Sequence, residues 1–281
     1  MKSKSIFFII LIFSVIIAGV FLFRNCVFNQ HASCSIFKEK RIRVGYAIEP
    51  PYAFFDKDGN LTGESIELCK VVCDSLGIEE IDWQLMDFGM LIQSLQTSEI
   101  DMIASGLFIT PERVTKVSFS TPTFRVCPGV LHPKGDFCLL DSIFNNGDTV
   151  FSLEMAVLSG SYEQSFLRDV GYLKNAIKEF PDAQTARLSV DQGITDCLVL
   201  SLPTLRWMIS ENVGFSVKES EFLDSLARLN NYGIGGFAFN KRDEELIEAF
   251  NEILVGFVGS EQHLKLVHSF GFSKKELKIY K

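Results

Sequence analysis

Along most of the chain the apolar positions switch between two periods. Short runs rich in β-branched residues, suited to buried strands, cover 41–47, 81–85, 100–104, 155–158 and 196–200. Between and after them, apolar residues recur at helical spacing over 65–76 and 90–96. The same spacing returns in a late stripe of Leu246, Ile247, Phe250, Ile253, Leu254 and Phe257. Asp58-Gly59 marks a turn, and four helix starts are signposted: Thr110 before Pro111, Ser161 three residues before Gln164, Asp182, and Pro203. Strands alternating with helices predict an α/β fold with mainly parallel sheets flanked by helices.

The alternation runs twice. An extended stretch at 125–131 leaves the first series, a second series follows, and a strand at 235–239 leads back. The chain therefore divides into a first lobe of residues 39–130 plus 235–281 and a second of 131–234, joined by two crossover strands. The apolar residues of the late stripe are read as packing.

Residues 1–38 stand apart. Lys2 and Lys4 precede an uncharged run over 6–23, which ends at Arg24. A basic start followed by an apolar run is an export signal, and this run approaches the length that spans a bilayer. It is cleaved or stays as an anchor, and either outcome places the protein in the periplasm or on the outer face of the cytoplasmic membrane. Cys34 after Ala32-Ser33 hints at a lipoprotein box, but His31 stands where an aliphatic residue belongs. Cys26 fits that pattern less well.

Composition narrows the partners. The 281 residues carry a formal net charge of -8 with no Lys/Arg block, so nucleic acid and anionic lipid surfaces are repelled. Seven cysteines leave at least one unpaired or in a removed segment. Cys69 and Cys73 fall on a helical stripe and read as small core residues, with no metal-ligand spacing around them. Cys127 and Cys138 could form a disulfide in an oxidising compartment, which spacing alone does not establish. No cofactor and no metal are expected.

The unusual residues gather in loops after the first-lobe strands, at the strand ends where open α/β sheets bind ligands. Glu49-Pro50-Pro51-Tyr52 follows the first strand, Asp87-Phe88-Gly89 the second, and the loop from Ser105 to Arg113 the third. Arg113 sits in the first turn of a helix, where a cation faces the positive end of the helix dipole. A ligand carboxylate placed between them satisfies both, whereas the alternative is a surface pair with Glu112. Tyr52, Phe88 and Phe108 beside Glu49 could form a box for a cation, or plug the core as loop aromatics often do. Carboxylate and cation together describe a zwitterion.

At this point the chain resembles the type 2 periplasmic solute-binding proteins of polar amino-acid ABC importers. The resemblance runs through RIRVGYAIEPPYAFF, DGNLTGESIEL and DMIASGLFITPERVTKVSFSTPTF and covers residues 41–277. EPPY, DFG, GLFITPER, FAFNKRDEELIEAFN and SFGF are most similar to the ectoine and hydroxyectoine receptors of that family. The resemblance implies the two-lobed periplasmic-binding-protein fold, a monomer, and a permease with its ATPase as partners. It assigns Glu49, Tyr52, Phe88 and Phe108 to the ligand's cation and Arg113 to its carboxylate. Ser105 belongs to the same loop. Ser159, Gly160 and Ser161 complete the pocket from the second lobe, with helix-start N–H groups available for the carboxylate, and Thr204 is a further candidate. Two features depart from general amino-acid receptors: Phe108 replaces a small polar residue, and the acid that holds an α-amino group near Ser201 is missing. A compact cyclic or methylated cation therefore fits better than an ordinary α-amino acid. Two rival readings share the fold: a periplasmic enzyme resembling cyclohexadienyl dehydratase, with Glu49 as general base, and a sensory input domain needing a separate signalling partner.

Overall fold

The computed structural model describes residues 31–134, 153–169, 172, 174–210, 214–219 and 233–277. The 6–23 run, Cys26, the Cys34 side chain and Cys138 lie outside what is described.

The first unit begins with helix α1 (His31–Glu39) and strand β1 (Arg41–Tyr46), followed by a small hairpin of β2 (Phe54–Phe55) and β3 (Leu61–Thr62). Helix α2 (Glu64–Ser75), β4 (Glu80–Leu85), a 3₁₀ turn at Phe88–Met90 and α3 (Leu91–Gln96) come next. Then follow β5 (Met102–Ile103), α4 (Pro111–Lys116), β6 (Ser118–Phe119), β7 (Phe124–Arg125) and β8 (Pro128–Pro133). The second series holds β9 (Met155–Leu158), α5 (Tyr162–Asp169), β10 (Ile177–Phe180), α6 (Ala183–Asp191), β11 (Cys197–Ser201), α7 (Leu202–Ser210) and β12 (Phe215–Glu219). The chain returns through β13 (Ile234–Gly235) and β14 (Ala238–Phe239) and closes with α8 (Glu244–Phe257), α9 (Glu261–Val267) and α10 (Lys274–Leu277).

Two five-stranded sheets result, ordered β4-β1-β5-β14-β6 and β10-β9-β11-β8-β12. In each, the first three strands pair in parallel, and the fourth, β14 or β8, runs antiparallel to both of its neighbours. The parallel strands of the first sheet end at the loops that carry the candidate residues. The two crossovers run side by side, because β7 pairs antiparallel with β13 through Arg125↔Ile234 and Phe124↔Gly235. The expected returning strand at 235–239 is thus split: its first part belongs to this ribbon and its second to the first sheet. The strand expected at 100–104 shortens to β5.

Local chemistry explains the helix starts. Thr110 Oγ1 accepts the Arg113 N–H, Asp182 Oδ1 accepts the Thr185 N–H, and Ser161 Oγ accepts the Gln164 N–H. Each such cap contributes about 1 kcal/mol. The stripe on α8 does what its spacing predicts, burying Leu246, Phe250 and Leu254 against Ile42, Val44, Val72 and Met102. Each fully buried side chain of this kind contributes about 1.5–3 kcal/mol. Cys69 and Cys73 are buried in the same cluster with their sulfurs 3.9 Å apart. Among the described residues no group of His, Cys, Asp or Glu is arranged to hold a metal. A further apolar cluster joins the lobes, placing Tyr52, Phe108 and Phe124 with Tyr162 and Phe166.

Candidate functional site

Glu49 lies on a tight turn after β1. Its carbonyl accepts the Tyr52 and Ala53 N–H groups, and its own N–H donates to Ala53. Phe88 opens the 3₁₀ turn after β4. Phe108 lies in the loop after β5, pinned by a bridge to Gly235 and by the Ile109 N–H on the Ile234 carbonyl. That loop passes over Tyr52 at Gly106, whose φ is +56° and where a Cβ would lie 2.6 Å from the tyrosine ring. Only glycine fits such a position without strain.

Arg113 is buried rather than paired at the surface. Glu112 turns outward to Lys116 at 2.7 Å. The Arg113 guanidinium donates from Nη1 to the Phe108 carbonyl and from Nη2 to the Gly160 carbonyl, each at 2.8 Å. It also stands 5.7 Å from the centre of the Phe88 ring. The second bond crosses from one lobe to the other, and so does a close backbone approach. A Cβ on Gly89 would lie 3.2 Å from the Ser159 carbonyl oxygen, and one on Gly160 would lie 3.2 Å from the Gly89 Cα.

A chain of hydroxyls also crosses the cleft. Tyr52 Oη donates to Ser201 Oγ at 3.1 Å, Ser201 and Thr204 pair at 2.9 Å, and Thr204 Oγ1 donates to Glu49 Oε1 at 3.0 Å. Because Thr204 gives its proton to Glu49, Ser201 must give its own to Thr204. The relay therefore points one way, from Tyr52 to the Glu49 carboxylate.

Between the lobes lies a tight cavity of about 10 Å³, lined by Glu49, Phe88, Gly106, Phe108, Arg113, Leu158, Ser161, Tyr162 and Glu163. Four of these, Glu49, Phe88, Phe108 and Arg113, come from the first-lobe candidates, and Ser161 comes from the second lobe. Thr204 touches Glu49 from outside the lining. Gly160 contributes its carbonyl to Arg113. Tyr52 lies one layer beneath, fully buried against Phe124 and Phe272 with ring centres 5.0 and 5.6 Å away. Ser105 Oγ is engaged with the Ala47 backbone, and Ser159 Oγ points outward to Glu179.

Besides Gly106 and Leu158, two lining residues with polar side chains escaped sequence reasoning. Tyr162 supplies the aromatic wall that Tyr52 does not, its ring 6.0 Å from that of Phe108. Glu163 brings a second carboxylate, 4 % exposed, in the first turn of α5. The Tyr-Glu pair directly after the Ser159-Gly160-Ser161 loop was the available signal. The helix-start donors are largely taken by the chain itself. Gln164 Oε1 accepts the Gly160 N–H, Ser161 Oγ accepts the Gln164 N–H, and Glu163 accepts from its own N–H and from Ser161.

Electrostatics follow from this enclosure. Burial pushes the Glu49 carboxyl up to about 8; Glu163 adds to the rise, while Thr204 and Arg113 oppose it. Burial likewise raises Glu163 to about 7, against its own N–H, Arg113 and Ser161. Burial lowers Arg113 to about 10, with Glu163, Glu112 and Glu49 opposing. A guanidinium, two carboxylates and three aromatic rings in one enclosed space can hold an anionic and a cationic group together. The cavity as it stands has room for roughly one water, so a solute enters only when the lobes move apart.

Two α/β lobes on a two-strand ribbon, with a charged site closed between them, define a receptor that captures a solute by closing its cleft. The chain belongs to the bacterial extracellular solute-binding proteins, family 3, which it matches over residues 42–271. It is 26% identical over 239 residues to the "Probable amino-acid ABC transporter periplasmic-binding protein" of Sinorhizobium fredii, covering 82% of this chain and 77% of that one. It is 31% identical over 221 residues to the L-arginine-binding protein of Pseudomonas aeruginosa, covering 76% and 81%. The crystal structure of EhuB in complex with hydroxyectoine superposes with a TM-score of 0.77 at 22% identity, covering 88% of this chain and 96% of that one. Among the described residues no helix is long and apolar enough to cross a membrane.

Proposed function

We propose that this chain is the solute-capturing component of an ABC importer, and that it takes one compact zwitterion into the interlobe cavity. The observation that carries the reading is the meeting of Arg113 with Glu49, Phe88 and Phe108 around a single enclosed space. Three of the five guanidinium N–H groups remain for a carboxylate once Phe108 and Gly160 are served. Charge-assisted bonds of this type contribute about 1.5–3 kcal/mol each. The solute's cation faces Glu49 and the ring faces, each ring adding about 0.5–2 kcal/mol. Amino acids and hydroxyectoine, the ligands named for the relatives, each carry a carboxylate and a cationic group.

Capture draws the lobes together, and a permease and its ATPase read the closed form. In this reading the lobes are residues 39–130 plus 235–281 and residues 131–234. The protein works as an exported monomer, with 1–38 as its signal or anchor, and returns the solute unaltered. The test is a thermal-shift panel on residues 39–281 with ectoines, betaines, neutral and basic amino acids, and small sugars. Stabilisation by carboxylate-bearing zwitterions is expected, and stabilisation by sugars alone refutes the reading. Recovery of a chemically changed solute would move the protein to the enzyme class.

A further inference from the structure

The cavity holds more acid than a zwitterion requires. Glu49 and Glu163 are 6 % and 4 % exposed and come from opposite lobes, and Arg113 is the cation that lines the space with them. With all three ionised, the enclosed site carries one net negative charge. A zwitterion adds none.

The surrounding charged and titratable groups do not correct this. Glu112, next to Arg113, is exposed and tied to Lys116. Arg168, at the far end of α5, is paired with Glu179 at the surface. Glu64, behind the Glu49 turn, accepts the Ser65 hydroxyl, and Tyr52 donates to Ser201. The Tyr162 phenol adds no positive charge. A buried charge without a partner costs far more than protonating the group that bears it.

We infer that Glu163 forms with Glu49 a carboxylate pair across the closed cleft, and that this pair takes up one proton whenever a net-neutral solute is captured. The inference rests on the zwitterion reading of the same site. Glu163 is the member that makes uptake depend on closure, because it reaches Glu49 only when the second lobe meets the first. Opening the cleft would bring water to both carboxyls and relieve the burial that raises them. Within the closed cavity burial holds both near neutrality, and like charge raises Glu49 further. The two carboxyls then share one proton as a unit. Thr204 donates to Glu49 Oε1, which leaves Glu49 Oε2 or Glu163 to carry it.

The experiment is titration calorimetry of the whole folded chain with ectoine and with glycine betaine at about pH 7.5, in phosphate and in Tris. These buffers release protons with very different heats. The dependence of the observed heat on buffer should correspond to uptake of about one proton per solute bound. Affinity should also fall as pH rises above neutrality, toward about tenfold per pH unit. Glu163→Gln keeps the shape and removes the titrating group, so uptake should drop to near zero and affinity should become flat with pH. The wild-type measurement decides even if that variant fails to fold. Zwitterion binding with no proton uptake overturns the inference and leaves the zwitterion reading standing. Failure of every carboxylate-bearing solute to bind removes that reading, and the inference with it.

Discussion

Replacing Arg113 with alanine tests the carboxylate end of the site. Arg113 is 6 % exposed, and its guanidinium donates to a carbonyl on each lobe at 2.8 Å and stands 5.7 Å from the Phe88 ring centre. Two charge-assisted bonds to a solute carboxylate are worth about 3–6 kcal/mol together. At about 1.4 kcal/mol per tenfold, the variant should bind about 10²- to 10⁴-fold more weakly. The unliganded protein loses less. The Gly160 bond needs both lobes together, so the open form gives up chiefly the Phe108 bond, about 1.5–3 kcal/mol. That corresponds to about 3–12 °C in melting temperature for a chain of this size. Calorimetry with a zwitterion and with its carboxamide, a net cation that lacks only the carboxylate charge, separates recognition of the carboxylate from general damage. The wild type should prefer the acid, and Arg113→Ala, left with Glu49 and Glu163 and no guanidinium, should lose that preference or reverse it. Retention of affinity within about threefold of wild type, or continued preference for the acid, would refute the assignment. Arg113→Lys should fall between, because an ammonium offers a point charge without the planar fork.

Three further outcomes follow from the geometry. Gly106→Ala forces a Cβ to 2.6 Å from the Tyr52 ring, which Phe124 and Phe272 back, so the fold should lose about 2–4 kcal/mol in urea unfolding; an unchanged midpoint would contradict the packing. Buried His263 has its pKa lowered to about 4 by desolvation and accepts the Gly259 N–H on Nδ1. Its contribution is present above the unfolded value of about 6.5 and is lost as pH falls toward about 4, by at most about 1.4 kcal/mol per pH unit; His263→Leu should flatten that part of the stability profile, and identical profiles would refute it. Trp207 of the second series lies against Phe54 of the first unit with ring centres 4.8 Å apart. With Trp83→Phe as background, its emission should respond to an added zwitterion, and should not respond in the Arg113→Ala variant at the same solute concentration.

Much of the fold was legible because its determinants are local. A hydroxyl or carboxylate cap and the residues it serves lie within three positions, so Thr110, Ser161 and Asp182 mark their helices in the sequence alone. The α8 stripe likewise needs only its own spacing. The ribbon of β7 and β13 was less visible, since two-residue strands carry no period and their pairing is set by the lobes they connect.

The site divides along the same line. Arg113 could be noticed because a cation in the first turn of a helix conflicts with its immediate surroundings, and that conflict asks for an anion. Glu163 offers no such conflict: an acid in the first turn of α5 is where helix electrostatics favours one. Its strain appears only when the fold sets it in one cavity with Glu49, more than a hundred positions earlier in the chain. Tyr52 shows the converse, a loop aromatic whose character suits a cation box but whose place under Gly106 makes it core. The hydroxyl relay from Tyr52 through Ser201 and Thr204 to Glu49 joins residues up to 155 positions apart, and each is unremarkable in its own segment. A receptor that works by closing must build its site from pieces that are separately acceptable in water and become mutually dependent only when water is excluded. The residues whose energetics change most on closure are therefore the ones least visible in sequence, and Glu163 is the one whose charge state closure should alter.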